Sequence, residues 1–328
     1  MIPESVSQLL DTHLNQVEDE LKRIFTSHKP LVNDEQIQTL SRGKKLRPIL
    51  LLLCHGLNQG YFGSKPIRTA AAIEILHIAS LLHDDILDNA DQRRGDEAMH
   101  LQLGTNAAIL LGDLHFTESV KLISDQIETL EDVEFFRNYI DSAHEICRGQ
   151  IREIHSVQDR STQALKDRYF RIIEGKTGEL IRFSCSAGCY LSSNKDGMAQ
   201  MEKLGFHLGR AFQIIDDILD LLGTQGVFQK TMMKDLLEQR FSLPIIYALD
   251  ELDEQSALHQ VFFSGDKQKE VIRSAMDELL ASQGIQKSFL DAKTESDKAL
   301  EVLNCYSSSD PYRIALASLI HTMLDRKV

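Results

Sequence analysis

The sequence predicts an all-α protein, and three observations carry that reading. The six prolines are Pro3, Pro30, Pro48, Pro66, Pro244 and Pro311, so the residue that most strongly breaks helices is missing between Pro66 and Pro244. Leu204, Leu208, Ala211, Ile215, Ile218 and Leu222 recur at spacings of three and four, the mark of a helix with an apolar stripe. Few runs alternate in the manner of strands, and no β-α-β rhythm is visible.

Composition sets the class of molecule. The 328 residues are 42% hydrophobic and 26% charged, with no low-complexity stretch, which suits a globular protein able to bury a large core. No Pro/Gly/Ser-rich linker or compositional break divides the chain, so residues 1–328 are expected to form a single domain. A formal net charge of -13 argues against nucleic acid as a partner, because such binding draws on clustered Lys and Arg. The N-terminal stretch is acidic and amphipathic rather than basic and then apolar, unlike a signal or transit peptide. The longest apolar run, Ile49 to Cys54, is far short of the roughly 20 residues that cross a bilayer. A cytoplasmic protein without a transmembrane helix is expected. The five cysteines, Cys54, Cys147, Cys185, Cys189 and Cys305, form no CxxC pair or zinc spacing and read as buried free thiols.

The feature with most chemical content is a duplication. The letters DDILD occur at Asp84 to Asp88 and again at Asp216 to Asp220, each inside a helical stretch. In a helix the outer aspartates of each copy are one turn apart, so Asp84 stacks over Asp88 and Asp216 over Asp220. Like charges so placed repel by a few tenths of a kcal/mol, and Asp85 and Asp217 add to the repulsion. One copy would read as a solvated helix face. Two copies, each in apolar surroundings (SLLHDDILD and FQIIDDILD), would be costly to bury unpaired and point to a cation. Two such helices facing each other across a cavity would hold several Mg²⁺ ions, which take remaining ligands from water and substrate phosphates.

Neighbouring residues extend this pattern. His77, Asp84 and Asp88 are spaced i, i+7 and i+11 and line one stripe. Gln213, Asp216, Asp217 and Asp220 fall beside the apolar stripe of the second helix. Gly205 and Gly209, each costing up to about 1 kcal/mol in a helix, predict that another backbone packs closely there. Basic clusters supply the complementary charge: Lys44, Lys45 and Arg47 in GKKLRP, Arg93 and Arg94 in DQRRG, and Lys176 with Thr177 in EGKTGEL. Guanidinium groups match phosphate bidentately, and lysines act as compact point charges. GKTGEL lacks the upstream glycine and preceding strand of a nucleotide-binding P-loop.

Taken in order, GKKLRP, HDDILDNADQRRG, LLGDLHF, EGKTGEL, FQIIDDILD and the segment Lys230 to Pro244 resemble the signature blocks of the trans-polyprenyl diphosphate synthases. That resemblance implies a helical bundle around a central cavity, the isoprenoid synthase fold. It implies head-to-tail condensation of isopentenyl diphosphate with an allylic diphosphate, Mg²⁺ as cofactor, a homodimer, and peripheral membrane contact for product release. By the same resemblance, Asp84, Asp88 and Asp216 bind Mg²⁺ directly, with Asp85, Asp217 and Asp220 in support. Arg93, Lys176, Thr177, Gln213 and Lys230 hold the allylic diphosphate; Arg93, Lys176 and Lys230 also stabilise the departing charge. Lys44, Arg47, His77 and Arg94 hold isopentenyl diphosphate. Ala79, the fifth residue before the first acidic motif, and the adjacent Ser80 are small, which by the family rule implies a long product of the kind used for quinone side chains.

The chain departs from the family after the second acidic motif, where Gln229, Met233 and Gln239 replace glycines. Those replacements leave a non-catalytic subunit of a heteromeric synthase as one alternative, and deeper residues that could close the tunnel leave a geranylgeranyl or farnesyl diphosphate synthase as another. A terpene cyclase fits less well, since GKKLRP and RRG suit a second diphosphate substrate.

Overall fold

The computed structural model describes residues 4–29, 31–93, 95–154, 160–222 and 235–325. The expected all-α class holds. Among the described residues run α1 (Glu4–Ser27), α2 (Asp34–Ser41), α3 (Leu46–Leu57), α4 (Ser64–Leu87), α5 (Met99–Leu103), α6 (Thr105–Ser124), α7 (Leu130–Ile154), α8 (Thr162–Ile173), α9 (Glu179–Tyr190), α10 (Met198–Leu222), α11 (Leu243–Glu251), α12 (Ala257–His259), α13 (Lys269–Ala281), α14 (Gly284–Val302) and α15 (Pro311–Leu324). The π-helical turn Glu174–Gly178 joins α8 to α9. One feature departs from the sequence reading: β1 (Gln92–Arg93) and β2 (Asp96–Glu97) form an antiparallel hairpin, with Arg93 opposite Asp96.

Proline and capping chemistry place the helix starts. Pro48, Pro66, Pro244 and Pro311 all sit in the first turn of their helices, where the missing N–H has no intrahelical partner to lose. Asn33 caps α2 in a reciprocal box with Gln36. At the start of α7, Thr129 N donates to Asp132 Oδ2 at 3.0 Å and Asp132 N donates back to Thr129 Oγ1 at 3.2 Å.

Contacts group the chain into two compact units. The first comprises Met1–His144, Leu180–Gly205 and Leu303–Leu319. In it α4 packs most extensively against α6, and also against α3 and α1. The run Ile49 to Cys54 is entirely buried, which explains why α3 is apolar all round. The second unit comprises Glu145–Glu179, Phe206–Val302 and Ile320–Val328. In it α11 packs on α14 and α8. Its core joins Leu165, Tyr169 and Ile173 of α8 to Ile214, Ile215 and Ile218 of α10 and Ile246 of α11.

Glycines set two close approaches, as their cost in a helix predicts. A Cβ on Gly205 would stand 2.5 Å from Arg182 Cα, and one on Gly209 would stand 2.7 Å from Gly178 Cα. All five cysteines are free; Cys54, Cys185 and Cys189 are buried as expected, but Cys147 and Cys305 are exposed, because each lies on the outer side of its element. No helix among the described residues is long and apolar enough to cross a membrane.

Candidate active site

Each acidic motif is described within its own unit. In the first unit, α4 carries Glu74, His77, Leu81, Asp84 and Asp88 along one stripe. Glu74 is buried, and the next four are half-buried in turn toward the C-terminal end of the helix. Asp88 is the C-cap, its N–H bonded to Asp84 O. Asp85 turns inward at 5% exposure and pairs with Arg93 Nη1 at 3.4 Å, so the hairpin returns a cation to the acidic motif. Asp96 fixes that hairpin to α2 by accepting from Thr39 Oγ1 at 3.2 Å and pairing with Arg42. Thr39, Ile78, Leu82, Asp85, Arg93 and Met99 line a cleft at this place. Lys44 is exposed, whereas Lys45 and Arg47 are buried; Lys45 therefore does not present its charge at the surface as the basic block suggests. Ala79 is buried on α4, and Ser80 Oγ donates to His77 O at 2.8 Å.

In the second unit, the acidic motif lies in the last turns of α10, within a chain of hydrogen bonds. Tyr169 Oη donates to Asp217 Oδ2 at 2.6 Å, Gln213 Nε2 donates to Asp217 Oδ1 at 2.8 Å, and Thr177 Oγ1 donates to Gln213 Oε1 at 2.7 Å. Burial pushes the Asp217 carboxyl up to about 7, against the pull of the Tyr169 and Gln213 bonds, with Asp220 and Asp216 adding to the rise. Burial raises Asp220 as well, opposed by Arg240. Asp217 pushes the Tyr169 phenol further above its ordinary range, beyond what burial does.

The π-helical turn presents Lys176 and Thr177 to this network. Lys176 Nζ donates to Glu153 Oε2 at 2.6 Å. Glu174 in the same turn receives Arg210 Nε at 2.8 Å, and the Arg210 guanidinium stacks on Phe206 and Phe170. The glycine contact between Gly178 and Gly209 allows the turn to lie against α10. π-Turns concentrate at functional sites, where the extra residue redirects side chains. Among the described residues, no three carboxylate, imidazole or thiolate groups stand ready to hold a metal together. Any cation there takes further ligands from water or substrate, as Mg²⁺ commonly does.

The structure therefore brings Asp216, Asp217, Gln213, Thr177 and Lys176 into one unit, and Asp84, Asp85, Asp88, His77, Lys44, Arg47 and Arg93 into the other. Arg94 and Lys230 lie outside the described residues, as do Gln229 and Met233. Gln239, the third glycine replacement, has φ of 54° and accommodates the left-handed conformation without glycine. Tyr169, Glu153, Glu174 and Arg210 form the supporting network but carry no short-range signal in the sequence.

Comparisons with known proteins agree with the resemblance. The Polyprenyl synthetase family model matches residues 30–279. The chain is 29% identical to an octaprenyl diphosphate synthase of Haemophilus influenzae, over 98% of this chain and 97% of that protein. It is 30% identical to a geranylgeranyl diphosphate synthase of Saccharolobus solfataricus, over 92% of both. Its fold matches a polyprenyl synthase of Caulobacter crescentus, a complex with calcium and isoprenyl diphosphate, with TM-score 0.84 and 23% identity over 99% of this chain and 98% of that one. The signature blocks, the helical fold and the family match lead to one conclusion: the chain belongs to the polyprenyl synthetase family, as a trans-polyprenyl diphosphate synthase.

Proposed function

We propose that this enzyme condenses isopentenyl diphosphate with an allylic diphosphate head to tail, releases inorganic pyrophosphate, and makes a long-chain all-trans polyprenyl diphosphate for quinone side chains. The observation that carries the proposal is the second acidic motif, whose central carboxyl is held by two side-chain donors while burial and neighbouring carboxylates oppose its ionisation. Such a site gains most from an incoming cation. The all-oxygen donor set suits a hard divalent ion, and Mg²⁺ is the one proposed. Such ions would be bound directly by Asp84 and Asp88 in the first unit and by Asp216 in the second, with Asp85, Asp217 and Asp220 in support. When bound, Mg²⁺ stabilises the negative charge that develops on diphosphate oxygens as the allylic C–O bond breaks.

The chain's own cations act on the same charge. Arg93, Lys176 and the undescribed Lys230 would stabilise the departing diphosphate where its charge develops. Thr177 and Gln213 would orient it by hydrogen bonds, and Lys44, Arg47, His77 and Arg94 would hold isopentenyl diphosphate. The isopentenyl double bond then attacks the allylic cation, and the released diphosphate takes the proton; no side-chain base is assigned.

By the family rule given above, the small side chains of Ala79 and Ser80 favour a long product. The similarity to a geranylgeranyl diphosphate synthase supports a shorter one as the second reading. We further propose a homodimer formed through α7, where Val133, Ile140, Cys147 and Ile154 recur every seven residues. Val133, Cys147 and Ile154 are exposed, as is Ile151, one turn from Cys147. A cytoplasmic setting suits five free thiols and a net charge of -13. End-to-end similarity to a synthase supports a single functional domain over 1–328.

The test is pyrophosphate release by the purified protein. Release should require both diphosphates and a divalent cation, and should drop at least about a hundredfold in Asp84→Ala and Asp216→Ala. Release that persists in both variants would sink the assignment.

A further inference from the structure

Lys45 stands where a lysine is out of place. It is the N-cap of α3, in the left-handed conformation at φ of 50°, a region that glycine and asparagine occupy readily and lysine does not. It makes no side-chain cap to its own helix. The conformation persists only if surrounding structure over-determines it. The Lys45 side chain supplies that constraint. Its Nζ donates to Ser41 O at 2.8 Å and to Glu74 Oε1 at 3.3 Å, and both partners of the ion pair are buried, at 7% and 2% side-chain exposure. Glu74 Oε2 is buried without a partner among the described residues, so this carboxylate depends on Lys45.

The pair joins two parts of one proposed subsite. Glu74 lies on the α4 stripe one turn before His77, and Lys45 lies between Lys44 and Arg47. Across the turn, Lys44 is exposed while Lys45 and Arg47 point inward, an arrangement that the left-handed residue between them produces. We propose that Glu74 is a positioning residue for isopentenyl diphosphate: through Lys45 it locks the Gly43–Leu46 turn and so sets where Lys44 and Arg47 meet the diphosphate. The inference rests on the function proposed above.

A buried ion pair that serves stability alone is replaceable by apolar residues of similar volume without loss of folding. The double substitution Lys45→Met/Glu74→Leu therefore separates structure from positioning. Its melting temperature should stay within a few degrees of wild type, its KM for isopentenyl diphosphate should rise at least about tenfold, and its KM for the allylic diphosphate should stay within about twofold. Direct calorimetric binding of isopentenyl diphosphate should weaken by the same factor as its KM. If the double variant does not fold, Glu74→Asp keeps the charge, shortens the anchor by one methylene, and should give the same split. Unchanged KM for isopentenyl diphosphate in a folded variant, or an equal rise for both substrates, overturns the positioning role. A wild-type protein that turns over neither substrate overturns the functional reading itself and this inference with it.

Discussion

Tyr169 and Asp217 are joined by a 2.6 Å hydrogen bond between residues 48 positions apart, and this bond fixes the middle carboxyl of the second acidic motif. Tyr169 lies on α8 with its ring among Ile173, Ile214 and Ile218, so the hydroxyl is aimed by apolar packing. Partners that orient a metal ligand typically contribute 10–100-fold to metal affinity. Tyr169→Phe is expected to raise the Mg²⁺ concentration giving half-maximal rate by about 10–100-fold with little change in fold. Mg²⁺ titration of steady-state rates checks this, and a shift within twofold would remove Tyr169 from the site.

The pH dependence of Asp217 has a defined sign. Its folded-state carboxyl titrates near 7, against an ordinary value of 3.8, so between those values the folded protein binds the proton more tightly than the unfolded chain. Without metal, this group's contribution to stability is greatest below about pH 4 and is lost as pH rises through 7. Urea midpoints in chelator should show that loss in the difference between wild type and Asp217→Asn. Saturating Mg²⁺ should abolish the difference in slope, because a bound cation favours the ionised form.

His115 gives the opposite slope. It is fully buried on α6 with both ring nitrogens unpartnered among the described residues, and its ring lies 5.2 Å from those of Phe25 and His28. Burial, then the neighbouring His28, lowers it from 6.5 to about 3. The unfolded chain therefore binds the proton first, and stability falls as pH drops from about 6.5 toward 3, by roughly 5 kcal/mol in all. His115→Leu should flatten the acid limb of the stability profile; an unchanged limb would assign acid sensitivity elsewhere.

The glycine pair Gly178 and Gly209 couples packing to the site. A methyl on Gly209 meets backbone, which cannot move as a flexible side chain would. Gly209→Ala is expected to cost about 1–3 kcal/mol in urea unfolding and to lower activity more than stability alone explains, because it displaces the turn bearing Lys176 and Thr177. Wild-type stability and rate in this variant would contradict that coupling.

Much of this architecture was legible in the chain because it is periodic. The apolar stripe from Leu204 to Leu222, the proline-free span and the two costly glycines each have a local cause, and each appears in the structure. The hairpin was not legible: strands of two residues are too short to alternate. The π-turn was hidden because one extra residue leaves no repeat to detect. Site partners such as Glu153 and Arg210 come from 23 and 36 positions away, and no spacing rule links them to Lys176 or Glu174. Lys45 reads as one more exposed cation until Glu74, 29 residues on, is seen to bury it.

The central claim is tested most directly by the length of the product. Purified protein with Mg²⁺, isopentenyl diphosphate and farnesyl diphosphate should yield, after dephosphorylation and chromatography, a polyprenol in the hexaprenyl to octaprenyl range. Ala79→Phe should shorten that product. No prenyl product from farnesyl, geranyl or dimethylallyl diphosphate would contradict the assignment, and a wild-type product ending at geranylgeraniol would contradict the long-chain reading alone.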